Sequence, residues 1–430
     1  MNRRIVLTPS ASQEGSVGVY FWSVDLRRLC RLFPLLMVLA TVSVPASAFA
    51  QTEPPLPTLQ DAGALGDELY QRSGSIGLVL VVVRGNQVFF RGYGETAPGS
   101  GRVPDAGSVV RLCSLTKIFT TDLLTKLAAD KTVRLDDPLE RYAPTHATVR
   151  ATVPQRVKPI TLEDLATHTS GLPREVGTGP RGMPHFTYPD HRTRWRWLAA
   201  QRLKTVPGTA AFYSNVAYDL LGDALQTAAQ KPYARLLAEQ TLNPLKMYET
   251  TFYPNASQCA RLMASIGDEG PCTSTEQTEG SSGLYSTPRE MAVWLKYLLG
   301  TGIPALPVQN RAAQAVYLLP SSLVSEQGLD HAGTPSGIGL GWMHLLAAGD
   351  PSHIIEKTGG GAGFTTYIAI SQARKAAVFV AATDGPGNMH FSLFKAANDV
   401  LLKMAGLPPL PPEMPKLVKK HVRKRRGREG

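Results

Sequence analysis

The stretch Val110-Arg111-Leu112-Cys113-Ser114-Leu115-Thr116-Lys117 places a serine and a lysine three positions apart. If Ser114 opens a helix, both side chains lie on one face, and the amine of Lys117 reaches the serine hydroxyl. A helix N-terminus also favours developing negative charge. Because burial and nearby cations favour a neutral lysine, Lys117 can take the hydroxyl proton. The stretch therefore predicts a serine nucleophile activated by a lysine.

A tyrosine and an asparagine two residues apart form the second element, Tyr213-Ser214-Asn215. On an extended turn both side chains can point into one cleft. A tyrosine flanked by lysines can act as a general base, and Asn215 can bond a substrate amide and the lysine. A similar pattern at Tyr253-Pro254-Asn255 is disfavoured, because proline removes a donor and stiffens the turn.

The third element, Lys357-Thr358-Gly359-Gly360, ends a run rich in β-forming residues. A strand edge at this place can pair with an extended peptide. Lys357 supplies positive charge for a substrate carboxylate or for Tyr213, and glycine allows close backbone approach. The amides of Ser114 and Gly360 are the candidates for an oxyanion hole. A second Ser-x-x-Lys, at Ser392-Leu393-Phe394-Lys395, has no such elements after it and is set aside.

Other kinds of site find little support in the sequence. A G-x-S-x-G elbow is absent, which disfavours an α/β-hydrolase. Neither H-E-x-x-H nor paired C-x-x-C occurs, so we expect no metal and no organic cofactor. His168 is predicted to be a structural histidine that bonds the loop after it. Cys113 is predicted to pack as a small apolar side chain.

The net charge of +11 is concentrated in the two ends of the chain. Residues 416–430 carry a net +7 and residues 1–50 a net +3, which leaves +1 for the body. A nearly neutral body argues against a nucleic-acid groove. The basic tail, which follows a Pro-rich spacer, is either a solvated end or a segment attracted to an anionic membrane or wall polymer.

Residues 1–50 are typical of an export signal. Three arginines precede an apolar run over residues 32–44, which is too short to span a bilayer comfortably. Cleavage is expected after Ala50 or after Ala48, and an uncleaved anchor is the alternative. In an oxidising compartment Cys259 and Cys272 can form a disulfide, with two free thiols as the alternative. We expect a periplasmic protein.

The chain has 430 residues, of which 43% are hydrophobic and 18% charged, as in globular proteins. Hydrophobic patterns predict strands over residues 76–83, 88–93, 354–358, 364–371 and 376–383. Helices are predicted over residues 59–71, 115–129, 216–229 and 390–404, from Thr161 and from Pro288. The expected domains are a signal (1–50), a hydrolase domain (51–406), and a spacer with its tail (407–430). Within the hydrolase domain, one sheet from residues 76–93 and 354–383 carries a helical lobe over residues 130–345.

As a set, Ser114-x-x-Lys117, Tyr213-x-Asn215 and Lys357-Thr358-Gly359 resemble the serine β-lactamase and penicillin-binding-protein superfamily. Tyrosine in the second element is typical of its class C branch, and the chain is most similar there to AmpH-type D-alanyl-D-alanine carboxypeptidase/endopeptidases. The resemblance implies an α+β fold, with an antiparallel sheet flanked by helices and a mainly helical lobe.

The resemblance also implies a periplasmic enzyme that cleaves peptidoglycan stem peptides and binds β-lactams. Ser114, Lys117 and Tyr213 would be catalytic, and Asn215, Lys357, Thr358 and Gly359 would bind substrate. The alternatives are a class C β-lactamase or esterase of the same fold, and a non-catalytic β-lactam sensor.

Overall fold

A seven-stranded antiparallel sheet forms the centre of the structure. The computed structural model describes residues 56–411 apart from 145–149, 152–157, 204, 268–269, 303–309, 330–331 and 386–391. The strands are β1 Gly77–Arg84, β2 Gln87–Gly94, β3 Val110–Arg111, β4 Arg150–Ala151, β5 Arg202–Leu203, β6 Ala211–Phe212, β7 Tyr285–Ser286, β8 Glu326–Gln327, β9 Pro335–Ile338, β10 Met343–Leu345, β11 Ile354–Gly361, β12 Phe364–Ser371 and β13 Ala376–Thr383. The central sheet has the strand order β2-β1-β13-β12-β11-β10-β9.

Helices cover both faces of this sheet and build the lobe beside it. They are α1 Asp61–Ser73, α2 Thr116–Ala129, α3 Leu162–Ala166, α4 His191–Ala199, α5 Asn215–Ala229, α6 Tyr233–Leu237, α7 Ala256–Cys259, α8 Pro288–Leu299, α9 Asn310–Ala313 and α10 Leu393–Met404. The predicted export signal and basic tail lie outside the described residues. Among the described residues, no helix is both long and apolar enough to cross a membrane.

Strand β1 shows why the central strands are apolar throughout. Leu78, Leu80 and Val82 pack on the face covered by α1 and α10. The alternate residues Val79 and Val81 pack on the opposite face, which α8 covers. Because successive side chains of a strand point to opposite faces, a strand buried on both sides must be apolar at every position. Each such side chain contributes roughly 1.5–3 kcal/mol on burial.

Two short strands of the sheet, β9 and β10, lie in the part of the chain that was predicted to be the helical lobe. Strand β9 and strand β10 pair with each other, and β10 pairs with β11. The prediction was wrong here because β10 has only three residues, and Gly337 and Gly339 interrupt the pattern in and after β9. Such short segments carry too little alternation to be recognised from the sequence.

Helix α2, which follows Ser114, lies at the centre of the molecule. The sequence indicates one apolar face, but the structure buries every residue from Thr116 to Leu127. Its polar side chains are paired inside the protein. Thr120 Oγ1 donates to the carbonyl of Gly280 at 2.7 Å, and Asp122 accepts from Tyr297 at 2.6 Å. A helix buried all round is held in a fixed position by contacts on every side.

The other helix predictions agree with the structure to within a few residues. The predicted capping box at Thr161 is formed, with Asp164 as its reciprocal partner. Thr287 caps α8, with Pro288 at the first helical position. The first residues of the segment predicted as a spacer pack against the hydrolase domain. Leu407 is buried, and Leu410 contacts the apolar cluster between the sheet and α10.

The cysteines of the predicted disulfide lie together, with sulfur atoms 2.11 Å apart and Cα atoms 5.7 Å apart. The loop that they close is tied to the strand before the serine. The guanidinium of Arg111 donates to the carbonyls of Gly270 and Pro271 at 3.2 and 3.0 Å. A disulfide between these cysteines would therefore restrain the surroundings of β3.

We predict that replacing both Cys259 and Cys272 by serine lowers the free energy of unfolding by about 3 kcal/mol, because the unfolded chain then regains the conformational freedom that a closed loop of this size removes. Urea denaturation of a protein that begins at Gln51 measures the change. A thiol titration of the unfolded wild type gives one free thiol, from Cys113, if the bond is present. Three free thiols, with equal stability of the double variant, would contradict the disulfide.

Candidate active site

Ser114 lies in a single 3₁₀ turn, Cys113–Leu115, which joins β3 to α2. The turn is held by Thr116, whose hydroxyl donates to the carbonyl of Cys113 at 2.7 Å and accepts from the amide of Leu284 at 3.1 Å. Cys113 has a φ of +52°, a conformation that costs a non-glycine residue roughly 1–3 kcal/mol. The strained turn leaves Ser114 at the N-terminal end of α2, as the sequence predicts.

Lys117 places its amine against the serine hydroxyl. Its Nζ atom is 3.2 Å from Ser114 Oγ, 2.7 Å from Asn215 Oδ1 and 2.8 Å from the carbonyl oxygen of Ser281. The side chain is fully buried. Burial, and then the charge of Lys357, lowers the pKa of Lys117 well below its usual value. A neutral amine can donate to Asn215 and Ser281 and still accept the proton of Ser114.

Tyr213 contacts the same hydroxyl from another side. Its phenol oxygen is 2.6 Å from Ser114 Oγ. Two lysine amines and a guanidinium lie over its ring, with Lys117 Nζ at 5.0 Å, Lys357 Nζ at 5.3 Å and Arg174 Cζ at 4.7 Å from the ring centroid. A phenol in such surroundings can exchange a proton with a group held at Ser114.

Asn215 is positioned by the start of α5. Ser214 caps that helix through its hydroxyl, which accepts from the amide of Ala217 at 3.0 Å. The carboxamide of Asn215 accepts from Lys117 and donates from Nδ2 to Glu175 Oε1 at 2.5 Å. Tyr213 and Asn215 thus stand on either side of an extended cap residue and both reach the serine and lysine pair.

His168 holds the tyrosine in place, a contact that the sequence analysis did not identify. We expected this histidine to bond the loop directly after it. Instead its Nδ1 accepts from the amide of Ser214 at 3.1 Å, and its ring stacks on Tyr213 with centroids 4.5 Å apart. Burial lowers its pKa well below the usual value, so the ring stays neutral. It is structural, as predicted, but its partner lies 46 residues away.

Strand β11 passes beside the serine. Strand β10 pairs with it only from Ile354 to Glu356, so residues 357–361 extend beyond the end of β10 and contact the Ser114 turn. A Cβ atom on Gly359 would lie 2.3 Å from Thr366 Oγ1 and 3.2 Å from the amide nitrogen of Ser114. Only glycine fits such a close approach. Lys357 is buried here, and its Nζ donates to the carbonyl of Thr358 at 2.8 Å.

Cys113 packs beneath the turn as the sequence analysis expected. It is fully buried, and its Sγ donates to the carbonyl of Gly361 at 3.3 Å. Burial raises its pKa to about 12, so the side chain remains a thiol near neutral pH. A thiol in this state is a poor nucleophile.

Asp219 is a second residue that the sequence analysis missed. It lies one helical turn after Asn215 in α5, and burial raises its pKa to about 7. Its side chain bonds Ser281, whose carbonyl accepts from Lys117. Its Oδ1 atom has no hydrogen-bond partner in the described part of the chain. The available signal was an acidic residue within the otherwise apolar stretch Val216–Leu221.

The arrangement can carry out nucleophilic chemistry at Ser114. Two groups able to exchange its proton lie within 3.2 Å of the hydroxyl, and a strand edge lies beside it. All three predicted motifs meet here. Among the described residues, no group of three or more histidine, cysteine, aspartate or glutamate side chains is placed to hold a metal ion.

Known proteins are similar to this chain in sequence and in fold. Residues 62–401 match the beta-lactamase family. The D-alanyl-D-alanine-carboxypeptidase/endopeptidase AmpH of Escherichia coli strain K12 is 40% identical over 344 residues, which cover 80% of this chain and 89% of AmpH.

A crystal structure of a beta-lactamase/D-alanine carboxypeptidase from Yersinia pestis is 39% identical, with a TM-score of 0.74 over 81% of this chain and 99% of that one. A class C beta lactamase from Rhodobacter sphaeroides is 21% identical with a TM-score of 0.61, which shows the fold alone, over 80% of this chain and 97% of that one. The predicted α+β fold is confirmed, and the chain belongs to the beta-lactamase family.

Proposed function

We propose that the chain is a penicillin-binding serine D,D-carboxypeptidase/endopeptidase that acts on peptidoglycan stem peptides. The supporting observation is the contact of one hydroxyl, Ser114 Oγ, with both the Lys117 amine and the Tyr213 phenol. The 40% identity to a D-alanyl-D-alanine-carboxypeptidase/endopeptidase over most of both chains supports the substrate class.

In the proposed reaction, Ser114 Oγ attacks the carbonyl carbon of the penultimate D-alanine. Its proton passes to Lys117, whose pKa burial has lowered, and the C–N bond then breaks. The leaving nitrogen receives a proton through Tyr213, so the serine proton ends on the leaving amine. The acyl group remains as an ester on Ser114 until water hydrolyses it by the same proton route in reverse.

Substrate binding is assigned to the groups around this hydroxyl. The edge of β11 formed by Thr358, Gly359 and Gly360 pairs with the extended peptide. Asn215 bonds the substrate amide, and Lys357 attracts the carboxylate next to the cleaved bond. The amides of Ser114 and Gly360 stabilise the oxyanion. In comparable sites, removal of one such donor raises the activation free energy by about 3–4 kcal/mol.

Export to the periplasm is part of the proposal. It is supported by the apolar run and cleavage motif in residues 1–50 and by two cysteines at bonding distance. The basic residues 416–430 would add attraction to anionic lipid or wall polymer of about 1 kcal/mol per charge close to the surface.

A β-lactamase is the second candidate, because the Yersinia pestis relative is described both as a beta-lactamase and as a D-alanine carboxypeptidase. The two activities differ in how fast water releases the acyl group. Rapid turnover of a chromogenic cephalosporin without release of D-alanine from stem pentapeptides would favour the lactamase. Release of D-alanine, with slow cephalosporin turnover, would favour the peptidase.

We predict that Ser114→Ala abolishes covalent labelling by a fluorescent penicillin, because the acylated oxygen is removed. In-gel fluorescence measures the labelling. The matched control is Ser392→Ala in the second Ser-x-x-Lys motif, where the serine only caps α10. This control keeps full labelling. A labelled Ser114→Ala protein would refute the nucleophile assignment.

We predict that acylation slows as the pH falls, because Lys117 then gains the proton that blocks its action as a base. The Asp219 carboxylate favours the ammonium form of Lys117. Asp219→Asn therefore lowers the pKa of Lys117 further and moves the acidic limb to lower pH. The second-order rate of penicillin acylation between pH 5 and 9 measures the limb.

Glu290→Gln is the control for this shift. The substitution removes another carboxyl group whose pKa is raised by burial. Glu290 lies in α8, and its carboxylate accepts a hydrogen bond from the hydroxyl of Thr250. Its acidic limb coincides with that of the wild type. A limb that moves to higher pH in Asp219→Asn would contradict the proposed role of Lys117.

A further inference from the structure

A cavity of about 480 Å³ opens beside Tyr213, outside the contacts assigned to the reaction so far. Two guanidinium groups, from Arg174 and Arg202, and two carboxamides, from Gln201 and Gln327, line it together with the tyrosine. No carboxylate of the described residues belongs to its lining. The polar groups of this wall are therefore mostly hydrogen-bond donors that carry net positive charge.

The positive charge of the cavity is only weakly compensated. The nearest contact of Arg174 with an acid joins its Nε to Glu175 Oε1 at 3.9 Å, and that oxygen already accepts from Asn215 at 2.5 Å. Within the described part of the chain, Arg202 forms no ion pair. Guanidinium groups with unused donors bind planar anions, and carboxylates above all, in a fork of two hydrogen bonds.

The position of the cavity indicates which part of a substrate enters it. Tyr213 forms one wall, and its phenol oxygen is 2.6 Å from Ser114 Oγ. In the proposed function, on which this step rests, the tyrosine protonates the leaving nitrogen. Whatever is attached to that nitrogen must then lie against Tyr213. The cavity beside Tyr213 is therefore placed to receive the leaving group, while the acyl group stays on Ser114.

The size of the cavity distinguishes two kinds of leaving group. A volume of 480 Å³ lies within the range of about 300–1,000 Å³ that accommodates drug-sized molecules. A single released alanine would leave most of this space empty. A peptide strand released from a cross-link would fill more of it and would bring carboxylates beyond the one next to the cleaved bond.

We propose that Arg202 and Arg174 form a carboxylate-binding subsite for the leaving strand of cross-linked stem peptides. The carboxylate bound there is remote from the cleaved bond, whereas Lys357 attracts the adjacent one. The subsite favours cleavage of cross-links over removal of a terminal alanine, because only a leaving peptide reaches both arginines.

Arg202→Gln tests the subsite, because Arg202 makes none of the contacts around Ser114 described above. The substrates are two cross-linked stem-peptide dimers, one with free remote carboxylates on the leaving strand and one with those groups amidated. We expect kcat/KM to fall about tenfold on the free dimer, mainly through KM, and less than twofold on the amidated dimer. Salt reduces the wild-type preference for the free dimer.

Arg192→Gln is the control, since it removes an exposed arginine of α4 that does not line the cavity. It leaves both dimers unaffected. An equal loss on both dimers in Arg202→Gln, or no loss on either, would overturn the subsite.

Release of D-alanine from a monomeric stem pentapeptide separates this result from the proposed function. If the wild type releases D-alanine and Arg202→Gln does not discriminate the dimers, only the subsite is wrong. If the wild type neither releases D-alanine nor cleaves a dimer, the proposed function fails and the subsite with it.

Discussion

Burial of the Lys117 amine is the constraint on which the rest of the site depends. A lysine out of water is tolerated only when its polar head is satisfied, and here Ser114, Asn215 and the Ser281 carbonyl surround it. The same burial disfavours the charged form and so prepares the amine to accept a proton. Helix α2 can hold this group in place because that helix is enclosed on every side.

Segments distant in the chain supply the other groups of the site. Each group is held in position by a contact or a backbone conformation close to it. A strained turn at Cys113 presents the serine, a helix cap at Ser214 separates the tyrosine from the asparagine, and His168 supports the tyrosine ring. A glycine at position 359 lets β11 approach the serine amide. A strained backbone at Cys113 is typical of sites that position groups for catalysis. The absence of a side chain at Gly359 has a similar purpose, because it allows two backbone segments to approach closely.

The sequence predicted the parts of the fold that have long or well-marked patterns. The hairpin of β1 and β2, the strands β12 and β13, and the capped helices were predicted correctly, because apolar periodicity and helix caps are local properties of the sequence. The short strands β9 and β10 did not, because their pairing depends on partners elsewhere in the chain. The three motifs could be selected from the sequence because their residue types stand at recognisable spacings. Asp219 and the stacking of His168 on Tyr213 were missed, since both depend on contacts that no local pattern encodes.

The titration of Lys117 tests the central claim most directly. Carbon-13 NMR of protein labelled at the lysine ε-carbons reports each amine, and comparison with Lys117→Arg identifies its signal. Because Lys117 is buried beside Lys357, we predict that it loses its proton well below 10.5, the usual lysine value. If Lys117 titrated together with the exposed lysines, the amine would be charged at neutral pH and could not serve as the base for Ser114.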